Sequence, residues 1–292
     1  MTCRICEGKN IYVFQALGRS YGRCATCFSI QRTMTAQDYA EMDVTYDSGD
    51  SIATGDRATV EAWVGIDQAL TFLRKYRPDG ATDLLDIGCG MGAYLRAGQL
   101  LGMNVVGYEP SLEHSTIART VFGFDVRPTY FEGTEEQFDV IVLSHVIEHI
   151  YDPRAFLALV VKSLKPGGRL MIVTPNANAY SARLTGTRWP MLVPEDHVSM
   201  LSPEALTRIV PDGCTVTTAT SESGFEFLAT VAAAVRSRRP RKCGVVSSVL
   251  VGLSLRTRLL KFGLAAGSLP FHWLAALNDR RGALVGLIDR TS

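Results

Sequence analysis

The chain has 292 residues, of which 47% are hydrophobic and 20% charged, with a formal net charge of +1. This composition is that of a globular protein, and it excludes an intrinsically disordered or low-complexity chain. At about 150 residues per domain, the length falls between one large domain and two small ones. The small net charge hides an asymmetry, because residues 1–225 carry 19 basic and 26 acidic side chains whereas residues 226–292 carry 11 and 3.

The start of the chain is polar and cysteine-rich, without the apolar stretch of a secretory signal, so a cytoplasmic location is expected. The longest uncharged run, residues 262–278, has 17 residues. A bilayer span needs about 20 apolar residues, and we therefore expect no spanning helix. In a reducing compartment the seven cysteines are better explained as metal ligands or core residues than as disulfides.

Two cysteine pairs open the chain. Two residues lie between Cys3 and Cys6, two lie between Cys24 and Cys27, and 17 residues separate the pairs. This spacing predicts a tetrahedral zinc site with four thiolates, whose role is structural because no coordination position stays open. The alternatives are a set of reduced thiols or a nucleic-acid-binding ribbon. Nucleic acid is not an expected partner, since the basic residues of this segment are spread out.

From about residue 56, short apolar runs alternate with helical patterns, which predicts βαβ units and a parallel sheet. We expect residues 1–55 to form the zinc module and connector, and residues 56–292 to form an α/β domain with a helical basic insertion at about 226–281. The predicted strands are Asp83–Ile87, Asn104–Tyr108, Asp139–Leu143, Arg169–Val173 and Gly282–Arg290. The predicted helices are Arg57–Tyr76, Tyr94–Leu101, Leu112–Phe122 and Pro153–Leu164, the last of which ends before Lys165-Pro166-Gly167-Gly168.

A glycine motif follows the first of these strands. Asp86 is followed by Gly88, Gly90 and Gly92 at alternate positions, where a helix is about to begin. Glycines permit a sharp turn and a close approach of backbone to a ligand. A dinucleotide-binding loop would instead place phosphates there, which Asp86 would repel. Glu109 ends the next strand, where a carboxylate can accept hydrogen bonds from ribose hydroxyls, so an adenosine ligand without phosphates is favoured.

With these motifs, residues 56–225 resemble the class I S-adenosylmethionine-dependent methyltransferases. The resemblance rests on the glycine motif, Glu109, the strand at 138–143, the segment 148–153 and the segment 164–168. It implies a Rossmann-like, seven-stranded, mostly parallel sheet that binds S-adenosylmethionine. It further implies that Glu109 holds the ribose and that the methionine part is contacted by Asp86, Gly88, Cys89, Gly90 and Gly92.

Four residues are candidates for the chemistry. His145, Glu148 and His149 follow the fourth strand, where the carboxyl ends of parallel strands open onto the ligand crevice. His145 and His149 would share a face if that turn is helical, and His145 is expected at the methionine end of the cofactor. His197 lies after the fifth strand in a segment similar to that of zinc-bearing sugar C-methyltransferases, whose histidine is a base; Asp196 interrupts the Glu-His pair of that motif.

Two uses of these residues stay open. The catalytic set is predicted as His197, His149 and Glu148, with a histidine as general base. The turn is also similar to that of ubiquinone-type O-methyltransferases, where Glu, Glu and His hold a divalent metal. That resemblance offers His145, Glu148 and His149 as metal ligands here.

The sequence therefore predicts methyl transfer to a small natural-product or sugar-type acceptor, at oxygen rather than carbon. The acceptor is expected to be apolar or glycosylated. The alternatives are a C-methyltransferase for a nucleotide-linked sugar and a non-catalytic module that binds nucleic acid or an adenosyl ligand. For residues 226–281, a solvated basic loop with packed helices, a lid over the acceptor and peripheral contact with an anionic membrane all stay open.

Overall fold

The computed structural model describes residues 2–42, 65–193, 195–221 and 281–291. Three predicted features lie wholly or largely outside these residues: the connector at 43–55, the first part of the helix predicted over 57–76, and the insertion predicted over 226–281. In the described part of the chain, no helix is both long and apolar enough to cross a membrane.

The described segments contain eleven strands and seven α-helices. The strands are β1 Ile11–Ala16, β2 Arg19–Cys24, β3 Ile30–Arg32, β4 Asp83–Ile87, β5 Asn104–Tyr108, β6 Asp125–Arg127, β7 Phe138–Ser144, β8 Leu164–Pro175, β9 Ser199–Met200, β10 Cys214–Ser221 and β11 Ala283–Arg290. The α-helices are α1 Ala36–Ala40, α2 Ile66–Tyr76, α3 Ala93–Leu100, α4 Leu112–Phe122, α5 Pro153–Val160, α6 Tyr180–Thr185 and α7 Pro203–Arg208. Single 3₁₀ turns are found at Ile147–His149, Val161–Ser163 and Gly186–Arg188.

The larger sheet has, among the described residues, seven strands in the order β10-β11-β8-β7-β4-β5-β6. The pairs from β8 to β6 are parallel, whereas β11 runs antiparallel to both of its neighbours. The predicted α/β class and the mostly parallel seven-stranded sheet are thus confirmed, and the predicted last strand is β11.

Helices cover this sheet on both faces because alternate residues of its central strands point to opposite sides. Leu84 and Val140 belong to one buried cluster, which also contains residues of α2, α3 and α4. Leu85 and Ile141 belong to a second cluster, with residues of α5 and α7. This two-sided burial explains why the strands appear in the sequence as continuous apolar runs.

One predicted boundary is wrong. The segment Lys165–Gly168 was expected to end a helix, but it lies within β8, and α5 ends earlier at Val160. The register shifts here, since Phe138 pairs with Leu164 while Val140 pairs with Arg169. A Cβ at Gly168 would lie 3.1 Å from the carbonyl oxygen of Phe138, so glycine permits an irregularity inside the strand.

The smaller sheet has the order β1-β2-β3-β9. Its first three strands come from the cysteine-rich N-terminal segment, whereas β9 comes from the segment after His197. Ile30 pairs with Met200 and Gln31 with Ser199. The N-terminal segment is therefore hydrogen-bonded directly to the segment that carries a candidate catalytic histidine.

Candidate functional site

The glycine motif forms the turn between β4 and α3. Gly88, Gly90 and Gly92 all have positive φ, at 70°, 53° and 95°, in a region that other residues rarely adopt. The amides of Gly88 and Cys89 donate to the carbonyl of Tyr108 at the end of β5. The loop is thus fixed to the neighbouring strand.

Glu109, the predicted ribose ligand, also holds this loop. Its Oε2 accepts the backbone N–H of Gly90 at 2.8 Å, and its Oε1 accepts the backbone N–H of Ser111 at 2.8 Å. A carboxylate oxygen has two lone pairs, so each oxygen retains an acceptor position for a ligand hydroxyl.

Asp86, the last residue but one of β4, is a buried carboxyl. Neither of its oxygens has a hydrogen-bond partner among the described residues. Burial, and to a lesser degree the charge of Glu109, raises the pKa of Asp86 to about 8. A buried carboxylate without donors is costly unless a cation or donor compensates it. A carboxyl without hydrogen-bond donors around it suits the ammonium group of the methionine part of S-adenosylmethionine.

Cys89 lies inside the glycine loop but is buried. A Cβ at Gly107 would lie 2.7 Å from its Sγ, so the thiol packs closely on β5. Burial, together with the charges of Asp86 and Glu109, raises the pKa of the Cys89 thiol. The side chain of Cys89 is therefore a neutral core group.

The glycine loop also touches the turn after β7. A Cβ added to Gly88 would lie 2.5 Å from Cγ2 of Val146, closer than two carbon atoms can approach. The predicted cofactor residues and the turn with His145, Glu148 and His149 are thus in direct contact.

A 3₁₀ turn follows β7, but it covers only Ile147–His149 and begins after His145. His145 has a φ of 56°, outside the helical region, and its Nδ1 lies 3.1 Å from Oε1 of Glu148. His145 and His149 were expected to share a face on the condition that one helical turn contains both. That condition is not met, and His145 contacts Glu148 instead.

Glu148 is fully buried, and Thr174 Oγ1 donates to its second oxygen at 2.8 Å. Burial alone would raise the pKa of Glu148, but the hydrogen bond from His145 and the nearby histidines outweigh it, so the pKa is lowered. The same hydrogen bond raises the pKa of His145. Glu148 is therefore an ionised carboxylate that His145 and Thr174 hold in place.

His149 and His197 form a pair. Their ring centroids are 4.9 Å apart with an interplanar angle of 78°. Nδ1 of His197 donates to the carbonyl of Met191 at 2.8 Å, and Nδ1 of His149 lies 3.3 Å from the carbonyl of Asp196 and 3.4 Å from its Oδ2. Because these partners only accept, each Nδ1 carries a proton, and Nε2 is the basic nitrogen of each neutral ring. Burial lowers the pKa of His197.

The sequence did not indicate the roles of Asp196 and Thr174. Asp196 was an interruption in a Glu-His motif, yet it is the partner of His149. Thr174, near the end of β8, belongs to no recognisable motif. Its contact with Glu148 arises from the pairing of β7 with β8.

Two groups of side chains have the spacing of metal ligands. Glu148, His149 and His197 each offer one ligand atom within 4.8 Å of the others. His145 is not part of this group. Among the described residues, the ligand set suggested by the ubiquinone-type resemblance (His145, Glu148 and His149) is therefore not brought together, and His197 takes the place of His145.

The four N-terminal cysteines form the other group, also within 4.8 Å of one another. Cys3 Sγ lies 3.9 Å from Cys27 Sγ, and Cys6 Sγ lies 3.6 Å from Cys24 Sγ. A zinc–sulfur distance of about 2.3 Å gives about 3.8 Å between neighbouring sulfurs of a tetrahedron. The contact with Cys27 lowers the pKa of Cys3. The thiol geometry fits zinc.

The strand order and the glycine loop at the end of β4 define a class I S-adenosylmethionine-dependent methyltransferase fold. A family model described as a methyltransferase domain matches residues 62–213, more than half of the sequence. The chain belongs to this methyltransferase-domain family, which confirms the family inferred from the glycine motif.

The curated relatives are similar over part of their length. A ubiquinone biosynthesis O-methyltransferase of Bradyrhizobium sp. (strain ORS 278) is 31% identical over 157 residues, which cover 49% of this chain and 61% of the relative. A protein of the same description from Cereibacter sphaeroides is 35% identical over 118 residues, covering 37% and 48%. The chain thus spans less than two thirds of these relatives.

The solved structures to which the chain is similar are more distant in sequence. A possible histamine N-methyltransferase of Thermotoga maritima has a TM-score of 0.48 and 17% identity, covering 80% of this chain and 94% of that one. The plantazolicin methyltransferase BpumL in complex with SAH has a TM-score of 0.46 and 12% identity, covering 80% and 84%.

Proposed function

We propose that this protein transfers the methyl group of S-adenosylmethionine to a hydroxyl oxygen of a small natural-product or sugar-type acceptor. The observation that carries the proposal is the His149–His197 pair, whose Nδ1 atoms are bonded to acceptors so that each Nε2 is basic. The turn that bears His149 touches the glycine loop at Gly88. The similarity to O-methyltransferases of ubiquinone biosynthesis supports oxygen as the methylated atom.

When bound, S-adenosylmethionine supplies a methyl group on a positively charged sulfur. Asp86 would compensate the ammonium of its methionine part, Glu109 would accept hydrogen bonds from its ribose hydroxyls, and the backbone of Gly88, Gly90 and Gly92 would lie beside it. His197 would take the proton of the acceptor's hydroxyl on Nε2 as that oxygen receives the methyl group. Burial favours this role, because it keeps His197 neutral and able to accept a proton.

His149 and Glu148 support that step. The positive charge that develops on His197 is stabilised by the buried carboxylate of Glu148, which also interacts electrostatically with both histidines. Asp196 fixes the ring of His149 against that of His197. We assign His149 to orienting the acceptor or to sharing its proton.

We further propose that Cys3, Cys6, Cys24 and Cys27 hold a structural zinc ion. The sulfur spacing supports this, as does the small size of the piece that they join, which has little core of its own. All four ligands are thiolates, so the ion has no open position for a substrate and takes no part in methyl transfer.

The test is a methyl-transfer assay with tritiated S-adenosylmethionine and two probes, 3,4-dihydroxybenzoate as an o-diphenol and a dTDP-linked keto sugar. We expect methylation of an oxygen, identified by mass spectrometry and NMR of the product. His197→Asn should lower turnover by roughly 10²-fold to 10⁴-fold, the usual contribution of a general base, with unchanged S-adenosylhomocysteine affinity. His114→Asn, in α4, is the matched control and should retain full turnover.

Each contrary result has a distinct meaning. A new carbon–methyl bond on the keto sugar would overturn O-methylation and show that the protein is a C-methyltransferase. Failure to bind S-adenosylhomocysteine, combined with salt-dependent binding of DNA or RNA, would overturn the enzyme proposal and show that the protein is a nucleic-acid-binding module. Full activity of His197→Asn would overturn the assignment of the base.

A further inference from the structure

Arg4 lies between the first two cysteines and reaches the segment that carries His197. Its Nη1 donates to the carbonyl of Arg32 at 2.8 Å, and its Nη2 donates to the carbonyl of Val198 at 3.1 Å. Its backbone N–H donates to Oε1 of Gln31 at 3.0 Å. One residue of the cysteine knuckle thus bonds both β3 and the residue that follows His197.

Val198 is held from two sides. Its N–H donates to the carbonyl of Glu148 at 2.8 Å, and its carbonyl accepts from the N–H of Arg32 at 2.9 Å in addition to Arg4. Glu148 and His149 are neighbours in the chain, so the peptide next to His197 is clamped between the N-terminal sheet and the turn with His149. The hydrogen bond from His197 Nδ1 to Met191 then fixes its ring.

Arg4 also contacts the segment after His149. Its guanidinium carbon lies 4.2 Å from the centroid of the Tyr151 ring, which packs on the ring of Tyr39 at 5.4 Å. The hydroxyl of Tyr39 donates to the carbonyl of His149 at 3.0 Å. The backbones next to both histidines are therefore connected to the same guanidinium, one directly and one through two aromatic rings.

We propose that Arg4 is a positioning residue for methyl transfer: it holds His197 in register with His149 by bonding Val198 and stacking on Tyr151. The inference rests on the proposed function, since it assigns these histidines to the site of proton transfer. Arginine suits the role because its planar fork donates to two carbonyls while its face covers an aromatic ring. Lysine has neither the fork nor the planar face.

The variants are Arg4→Gln, Arg4→Lys and the control Arg154→Gln, all in the full chain. Arg154, in α5, donates to the carbonyl of Ile5 at 3.1 Å. It therefore contributes a hydrogen bond of the same kind across the same junction, but to Ile5 and not to Val198. If Arg4 only stabilised this junction, both Gln variants would behave alike.

The decisive readout is the side-chain ¹⁵N spectrum of His149 and His197, assigned with His149→Asn and His197→Asn. We expect shifted or broadened resonances for both histidines in Arg4→Gln, a smaller change in Arg4→Lys, and the wild-type spectrum in Arg154→Gln. Calorimetric affinity for S-adenosylhomocysteine should stay within about twofold in all three, because Asp86 and Glu109 are untouched. With 3,4-dihydroxybenzoate, kcat should fall about tenfold or more in Arg4→Gln while the KM for S-adenosylmethionine is unchanged.

Wild-type histidine resonances in Arg4→Gln, or equal changes in Arg154→Gln, would overturn the inference. If Arg4→Gln fails to fold, the histidine ¹⁵N spectra of Arg4→Lys and Arg154→Gln are compared instead. Wild-type resonances in Arg4→Lys, or equal changes in the two variants, would then overturn the inference. A wild-type protein that binds S-adenosylhomocysteine but methylates neither probe would count against the proposed function, and the spectra would still decide the role of Arg4.

Discussion

Oε2 of Glu109 accepts the backbone N–H of Gly90 at 2.8 Å. The carboxylate that the sequence predicts as a ribose ligand is therefore also a structural part of the glycine loop. The groups of a ligand that contact Glu109 and those that contact the glycine loop would therefore be bound by residues that are hydrogen-bonded to each other. Substitution of Glu109 tests this.

Replacing Glu109 with Ala should lower S-adenosylhomocysteine affinity by roughly tenfold to a hundredfold, since a hydrogen bond to a charged group contributes about 1.5–3 kcal/mol. Glu109→Gln should lose less, because its amide oxygen can still accept one N–H. Isothermal titration calorimetry measures both. Glu113→Gln, a half-buried residue of the first turn of α4, is the control. Equal affinities for Glu109→Ala and Glu113→Gln would contradict the role of Glu109.

The affinity for S-adenosylhomocysteine should rise with pH. The pKa of Asp86 is about 8 in the free protein, so Asp86 is mostly protonated at neutral pH. An ammonium group favours the ionised form, and binding should therefore release a proton. Affinity then increases by up to about tenfold per pH unit below about pH 8 and levels off above it.

Calorimetry in buffers of different ionisation enthalpy measures this proton release. In Asp86→Asn the affinity should be lower at high pH, and the proton release attributed to Asp86 should disappear. The assignment fails if Asp86→Asn keeps the wild-type pH dependence.

Gly88→Ala should destabilise the fold more than Gly90→Ala. Both positions have positive φ, which costs an alanine about 1–2 kcal/mol. Only at Gly88 does the added Cβ meet another side chain, Val146, whereas nothing lies within 4 Å at Gly90. Overpacking of this kind costs roughly a further 1–3 kcal/mol. Urea unfolding gives the free energies, and Val146→Ala in the Gly88→Ala background should restore part of the loss. No restoration would mean that the clash with Val146 is not the cause.

Cys24→Ser should remove one equivalent of zinc and destabilise the N-terminal sheet. Zinc contributes about 10–16 kcal/mol of apparent binding free energy in zinc-finger peptides, so the loss of one of four ligands should be severe. Elemental analysis and thermal unfolding measure the two effects. Cys214→Ser, in β10, is the control and should keep the metal.

Metal-free wild-type protein, or Cys24→Ser protein with undiminished zinc, would contradict the structural zinc site. Metal that stays in Cys24→Ser but is lost in His149→Asn would instead place an ion at Glu148, His149 and His197.

The parts of the fold that depend on local pattern could be predicted from sequence. Strands β4 and β5 and helix α4 have the predicted bounds, because apolar runs and turn residues determine them locally. The end of α5 was missed because Gly167 and Gly168 usually end a helix, whereas here they permit an irregular strand. Pairing with β7, a long-range contact, decides between these outcomes.

The site shows the same division. The spacing of four cysteines predicted a cluster that the fold assembles, since each pair is local. The pairing of His149 with His197 joins residues 48 positions apart, and no spacing rule indicates it. The role proposed for Arg4 depends on the β3–β9 pairing, which brings the N-terminal sheet to the segment of His197 and has no counterpart in the sequence pattern.

The β10–β11 pair has a consequence for changes in the length of the chain between these two strands. Ser221 pairs with Ala283, and Ala283 pairs with Pro175 at the carboxyl end of β8, the edge of the sheet where the glycine loop lies. The chain therefore leaves the sheet at Ser221 and re-enters it at the neighbouring position Ala283. Doubling the length of a connection between two fixed ends adds only about 0.6 kcal/mol of closure entropy. A change in the number of residues between Ser221 and Ala283 is therefore expected to leave the register of β10, β11 and β8 as it is.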